Sequence, residues 1–157
     1  MSSVTLEAGQ KAPDFSLPSN GGGKISLADC AGKTLILYFY PKDDTSGCTK
    51  QAIGFTEHLA EFEAAGARVV GVSKDPVKKH DKFIDKHDLK IDLLSDEDSD
   101  LCERYGVWVE KSMYGKKYMG IERSSFLIGA DGTIQQVWRK VKVPGHVEAV
   151  LDAVKAL

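Results

Sequence analysis

The apolar run from Thr34 to Tyr40, TLILYFY, limits the fold more than any other part of the sequence. Its residues are apolar throughout instead of alternating with polar ones, which is typical of a strand covered on both faces. Pro41 ends the run, and Ala67 to Val72 are predicted to form a second central strand. Two such strands predict a central sheet with a layer of structure on each side.

Helical spacing in the remaining chain supplies those layers. One apolar face from Cys48 to Gly66 consists of Cys48, Ala52, Phe55, Leu59 and Phe62. That spacing predicts one helix, which Gly66 ends. Further helices are predicted from Val77 to Asp88, from Asp98 to Tyr105 and from about Pro144 to Leu157. Helices can therefore cover both faces of the predicted sheet.

The other predicted strands are short. They cover Asp14 to Leu17, Lys24 to Ser26, Asp92 to Leu94, Ile121 to Ile128 and Thr133 to Arg139. The first two predict an N-terminal hairpin, and Asp131-Gly132 predicts a second hairpin between the last two. The fold class is therefore α/β, with a mixed central sheet covered by helices and a short N-terminal hairpin extension. The thioredoxin fold has this order of elements.

Length and charge exclude several classes of protein. A chain of 157 residues suits a single domain over 1–157. Its net charge of -2 argues against nucleic acid or an acidic membrane as a partner. The N-terminal residues lack a basic start followed by an apolar stretch, and no apolar run approaches the roughly 20 residues that span a bilayer. We therefore expect a cytoplasmic protein. An odd count of three cysteines also fits a reducing compartment and one reactive thiol.

Cys48 is the candidate for that thiol. If a helix begins near Ser46, the unpaired N-H groups of its first turn stabilise a thiolate at Cys48. Thr45, three residues earlier, can reach those N-H groups, the sulfur or a bound oxygen. The pattern alone leaves two alternatives open: Cys48 can be a buried apolar residue of the helix stripe, and Thr45 can be a plain helix cap.

The four histidines do not indicate a metal site. His58, His80, His87 and His146 lack the close pairing that metal sites use, so we expect all four on the solvated surface. We therefore predict no metal and no cofactor.

The segment from Pro41 to Cys48, PKDDTSGC, resembles the Pro-x-x-x-Thr/Ser-x-x-Cys motif of the peroxiredoxins. Its surroundings, YFYPKD and GCT, resemble the bacterioferritin comigratory protein branch, also called peroxiredoxin Q. The resemblance implies a thioredoxin fold and a thiol-dependent peroxidase that acts on hydrogen peroxide and organic hydroperoxides. It implies that Cys48 is the peroxidatic nucleophile and that Arg123 holds its thiolate. Thr45 would bond the peroxide, and Pro41 would shield the sulfur.

The resolving cysteine of this family is missing. Ile53 and Ile84 stand at the two positions where relatives of this branch carry it. The resemblance thus implies a one-cysteine enzyme reduced by thioredoxin, glutaredoxin or glutathione, and a monomer. Whether Cys102 or Cys30 acts as an unusual resolving cysteine stays open, although both fit buried positions. The rival hypotheses are a thiol-disulfide oxidoreductase, which Thr45 in place of the first cysteine of a Cys-x-x-Cys motif disfavours, and a non-catalytic module with an inert Cys48.

Overall fold

The computed structural model describes residues 6–157, which form nine strands and five α-helices. The strands are β1 (Ser16–Pro18), β2 (Lys24–Ser26), β3 (Thr34–Phe39), β4 (Ala67–Ser73), β5 (Asp92–Ser95), β6 (Trp108–Met113), β7 (Lys116–Ile121), β8 (Ser124–Ile128) and β9 (Ile134–Trp138). The helices are α1 (Ser46–Glu57), α2 (Leu59–Ala64), α3 (Val77–His87), α4 (Leu101–Arg104) and α5 (His146–Lys155).

The central sheet is mixed, as the sequence predicts. Its five strands lie in the order β5-β4-β3-β8-β9. The strand β3 pairs in parallel with β4 and antiparallel with β8, so Phe39 lies opposite Val72 on one side and Ser124 on the other. The predicted hairpins are both present, since β1 pairs with β2 and β8 pairs with β9.

The central sheet separates two apolar clusters. Because side chains alternate along β3, Leu35, Leu37 and Phe39 belong to one cluster, and Ile36, Tyr38 and Tyr40 belong to the other. The second cluster also contains residues of α1, α2, α3 and α5, and we call its side of the sheet the α1 face. Both faces of β3 are buried, which explains its uninterrupted apolar sequence.

Two predicted elements are divided in the structure. The helix predicted through Gly66 breaks at His58, where the backbone leaves helical geometry at ψ 5 and the ring bonds the Gly54 carbonyl oxygen at 3.0 Å. The strand predicted from Ile121 to Ile128 breaks at residues 122–123, between β7 and β8. The hairpin β6–β7 was not predicted, because its outer residues are largely exposed and do not alternate in polarity.

The helices of residues 6–157 are all too short or too polar to cross a membrane.

Candidate active site

Cys48 is the third residue of α1 and lies on the α1 face of the sheet. Thr45 precedes the helix in extended geometry, and its carbonyl oxygen accepts the Thr49 N-H at 2.8 Å. The Cys48 side chain therefore lies within the first turn, where backbone N-H groups favour an anion. The residue is only 2% exposed.

Arg123 contacts the Cys48 sulfur directly. Its Nη2 donates to Cys48 Sγ at 3.3 Å, and its Nη1 donates to Gln51 Oε1 at 2.6 Å. Since Gln51 lies one turn beyond Cys48, the guanidinium bridges two positions of the same helix. Gln51 is neutral, so the positive charge of Arg123 remains available to a thiolate at Cys48.

Gly47 makes room for this contact. A Cβ atom at residue 47 would lie 3.1 Å from Arg123 Nη2, which is closer than side chains normally approach. The backbone of Gly47 is an ordinary helical one without a positive φ, so its conformation does not require glycine. The requirement is steric, since the guanidinium packs against the helix where a side chain would begin.

Thr45 and Pro41 lie on the exposed loop that leads into α1. The Thr45 hydroxyl donates to the Lys42 carbonyl oxygen at 2.9 Å and makes no capping hydrogen bond to α1. The plain-cap alternative for Thr45 is therefore wrong. With its proton committed to Lys42, the Thr45 oxygen is free only to accept a hydrogen bond. The roles that the resemblance implies for Thr45 and Pro41 remain predictions.

Lys111 is a second cation near Cys48 that the sequence did not reveal. It lies on β6, and burial together with the nearby charge of Arg123 lowers its pKa, while the charge of Cys48 opposes that shift. No local signal marks this lysine, because its position depends on a hairpin that was itself not predicted.

His146 is buried, so its predicted place on the surface is wrong. The Ser125 hydroxyl and His146 Nε2 lie 2.8 Å apart, and the ring packs edge-on against Trp138. Burial, and then the charge of Arg123, lower the His146 pKa from 6.5 to about 4. The ring is therefore neutral at neutral pH. A histidine before an apolar stripe gives no sign in the sequence that it turns inward.

His80 also contradicts the surface prediction. It is fully buried on α3 and bonds both Asp43 and the Leu94 carbonyl oxygen. His58 and His87 are half-buried rather than fully solvated.

Cys30 and Cys102 are buried, as predicted, and both belong to the cluster on the face opposite Cys48. Burial raises the pKa of each thiol, and the nearby charge of Asp96 raises that of Cys102 further. Both therefore remain neutral thiols near neutral pH, and the central sheet lies between them and Cys48.

Comparison with known proteins decides the family. The AhpC/TSA family model matches residues 8–137, which include Cys48 and Arg123. A relative in Coxiella burnetii, named putative peroxiredoxin bcp, is 54% identical over 148 residues, covering 94% of this chain and 98% of that protein. This chain belongs to the peroxiredoxin family.

Solved structures agree with that assignment. A variant of Xanthomonas campestris peroxiredoxin Q superposes with a TM-score of 0.89 at 47% identity, covering 96% of this chain and 99% of that one. A variant of Xylella fastidiosa PrxQ gives a TM-score of 0.91 at 42% identity, covering 96% of each chain. The protein is thus a thiol peroxidase of the Bcp, or peroxiredoxin Q, branch with a thioredoxin-like fold, as the resemblance implied.

Replacing Gly47 tests the Arg123 contact. In Gly47→Ala the new methyl displaces Arg123 Nη2 from the sulfur, and we expect alkylation of Cys48 by iodoacetamide at pH 7 to slow about fivefold, as for a loss of about 1 kcal/mol. The melting temperature should not fall, because alanine favours helix by up to about 1 kcal/mol.

Gly54→Ala is the matched control. Its Cβ would also meet a neighbour at 3.1 Å, but that neighbour is Val147 Cγ2, away from the guanidinium. We expect its alkylation rate to equal that of the native protein. Equal slowing in both variants would mean that crowding of α1, and not loss of the Arg123 contact, controls Cys48.

The buried His146 predicts a loss of stability in acid. In the unfolded chain this ring protonates near pH 6.5, whereas in the folded protein it stays neutral to about pH 4, so acid favours unfolding. Between these pH values we expect urea unfolding to show that the native protein loses about 2–3 kcal/mol more than His146→Gln. The same pH dependence in both proteins would contradict the neutral buried ring.

Proposed function

We propose that this peroxiredoxin reduces hydrogen peroxide and small organic hydroperoxides with Cys48 as its only redox-active cysteine. An external thiol, such as thioredoxin, glutaredoxin or glutathione, would then complete the cycle. One observation carries the proposal: Cys48 Sγ accepts a hydrogen bond from Arg123, while Cys30 and Cys102 lie on the opposite face of the central sheet.

In the oxidative step the Cys48 thiolate attacks the terminal oxygen of the hydroperoxide. The S-O bond forms as the O-O bond breaks, and the departing alkoxide or hydroxide takes up a proton and leaves as alcohol or water. Cys48 is thereby oxidised to a sulfenic acid and the peroxide is reduced. Arg123 stabilises the charge as it moves from sulfur to the leaving oxygen, and the cation of Lys111 adds to that field.

Thr45 would orient the peroxide. Its hydroxyl proton is bonded to Lys42, so its oxygen accepts the O-H of the incoming hydroperoxide. Pro41, at the start of the same loop, would limit access of water to the sulfur. Both roles follow the family resemblance. The hydrogen bond from the Thr45 hydroxyl to Lys42 supports the first, because it leaves the Thr45 oxygen free to accept.

In the reductive step an external thiol attacks the sulfenic acid, which releases water and leaves a mixed disulfide at Cys48. A second thiol then restores Cys48 and leaves as the donor's disulfide. A disulfide within the chain would need two Cα atoms within about 7 Å, which the intervening sheet opposes for both Cys30 and Cys102. Ile53 and Ile84 pack against the α1-face cluster and offer no sulfur.

The proposal includes a reducing, cytoplasmic setting and a monomeric working unit. The three cysteines are all free thiols, which suits a reducing compartment. A single chain supplies Cys48, Thr45, Arg123 and Lys111, so the site needs no residue from a second copy.

Cysteine variants test the one-cysteine cycle. We expect Cys48→Ser to lose peroxide consumption with either thioredoxin or glutathione as donor, because serine cannot form a sulfenic acid. We expect the Cys30→Ala, Cys102→Ala double variant to keep native consumption within about twofold, since distant sites act independently. Peroxide loss is followed continuously under both donors.

Mass spectrometry of the oxidised protein separates the rival hypotheses. One equivalent of peroxide should leave a sulfenic acid at Cys48 that dimedone traps. A disulfide from Cys48 to Cys30 or Cys102 would contradict the one-cysteine cycle. An unmodified Cys48 would favour the non-catalytic module, and disulfide exchange without peroxide consumption would favour the oxidoreductase.

A further inference from the structure

Lys111 lies on the hairpin β6–β7, which ends two residues before Arg123. The Glu122 N-H closes the base of the hairpin by donating to the Val107 carbonyl oxygen at 2.7 Å. Arg123 is the next residue, and its Nη2 contacts the Cys48 sulfur at 3.3 Å. The base of the hairpin therefore lies beside the guanidinium that holds the reacting sulfur.

The Lys111 side chain points along the hairpin toward that base. Lys111 lies opposite Tyr118, and Gly120 is the next residue of β7 on the same face. A Cβ atom at Gly120 would lie 3.2 Å from Lys111 Cδ and 3.5 Å from Lys111 Cε. The glycine thus leaves the space that the lysine chain occupies. The chain passes over Gly120, from the middle of the hairpin toward its base and Arg123.

Lys111 also differs from the other lysines of the hairpin in its surroundings. Lys116 and Lys117 are exposed, and Lys117 forms an exposed ion pair with Glu110 at 3.7 Å. Lys111 is partly buried, and it forms no ion pair within residues 6–157. Its N-H groups are therefore available to a ligand in the site.

Three charged groups act on the Lys111 amine. Burial, and then the positive charge of Arg123, lower the pKa of Lys111, which makes its ammonium group a better proton donor. The charges of Cys48 and Glu122 oppose that shift and favour the protonated form. Attack on a peroxide removes the charge of the Cys48 thiolate. The protonated form therefore loses support as the leaving oxygen becomes basic.

The oxidative step needs a proton that neither Thr45 nor Arg123 supplies. The Thr45 proton is bonded to the Lys42 carbonyl oxygen, and a guanidinium does not release its proton in proteins. The proton of the hydroperoxide itself stays on the oxygen that becomes part of the sulfenic acid. The departing alkoxide or hydroxide is a strong base, so a proton donor beside it lowers the barrier.

We propose that Lys111 is the proton donor of the peroxidase reaction, placed near Arg123 and the Cys48 sulfur by its passage over Gly120. The S-O bond forms, the O-O bond breaks, and a proton moves from Lys111 Nζ to the leaving oxygen. The products are a sulfenic acid at Cys48, an alcohol or water, and a neutral Lys111 amine that regains a proton from solvent. Lys111 is thus a catalytic residue. This inference rests on the proposed function, since it completes the oxidative step.

Two oxidants separate proton donation from electrostatic stabilisation. Hydrogen peroxide releases hydroxide, a strong base that requires a proton, whereas peracetic acid releases acetate, a weak base that requires none. With both oxidants the Cys48 thiolate attacks a terminal O-H oxygen, so the demands on the sulfur and on Thr45 are the same. The measurement is the second-order rate constant for oxidation of the reduced protein by each oxidant at neutral pH, followed by stopped flow.

We expect Lys111→Met to slow oxidation by hydrogen peroxide about 100-fold, as for loss of a general acid. Oxidation by peracetic acid should slow by no more than about threefold, as for loss of one partly screened charge. Lys111→Arg should show the same loss with hydrogen peroxide and a native rate with peracetic acid. The guanidinium keeps the positive charge but does not release its proton.

Lys116→Met is the matched control. Lys116 lies on the same face of the hairpin as Lys111, but opposite Met113 at the tip, and it is exposed. The substitution removes the same charge from the hairpin away from its base. We expect both rate constants to stay within about twofold of the native values, since distant sites act independently.

Several outcomes would overturn the proton-donor role. They are a native rate of Lys111→Met with hydrogen peroxide, an equal loss with both oxidants, a native rate of Lys111→Arg with hydrogen peroxide, or the same selective loss in Lys116→Met. If Lys111→Met does not fold, Lys111→Arg carries the test alone. A native Cys48 that neither oxidant attacks would contradict the proposed function, whereas the other outcomes remove the role of Lys111 and leave that function standing.

Discussion

The hydrogen bond from Arg123 to the Cys48 sulfur is the interaction on which the site depends, and the register of the central sheet produces it. Residues 48 and 123 are 75 positions apart in the chain. They meet because Phe39, at the end of β3, lies opposite Ser124 in β8. The loop that follows β3 and Arg123, which precedes β8, therefore lie at the same end of these two strands, where α1 begins.

The same sheet explains why one of three cysteines differs from the others. Cys48 lies in the first turn of α1, with Arg123 Nη2 at 3.3 Å from its sulfur. Arg68 Nη1 lies farther from the Cys30 sulfur, at 3.9 Å, and burial keeps both Cys30 and Cys102 as neutral thiols in the opposite cluster. Separation by a layer of buried strands supports the proposed cycle, in which Cys48 has no resolving partner inside the chain. Under the proposed cycle, the oxidised Cys48 is therefore reduced by a thiol from outside the chain.

Patterns of a few neighbouring residues predicted much of this architecture. The apolar run of β3 and the helical stripe that begins at Cys48 indicated the sheet, α1 and the position of the thiol. Arg123 required the family resemblance, because an arginine before a strand is usually a surface residue. Asp43 and His80 could not be paired from the sequence, since their contact depends on how α3 packs beside a loop 37 positions earlier. Lys111 was missed for a similar reason, because its position near Cys48 depends on the hairpin β6–β7, which was not predicted.

The rate of Cys48 oxidation in Arg123→Lys shows whether the paired hydrogen bonds of the Arg123 guanidinium activate the sulfur. Lysine keeps the positive charge but cannot donate to Cys48 Sγ and Gln51 Oε1 with a rigid fork. The measurement is the second-order rate constant for reaction of the reduced protein with hydrogen peroxide, followed by stopped flow. We predict a fall of about 100-fold relative to the native protein, as for loss of one preorganised donor to a transition state. An unchanged rate constant would mean that the hydrogen bond from Arg123 does not activate Cys48.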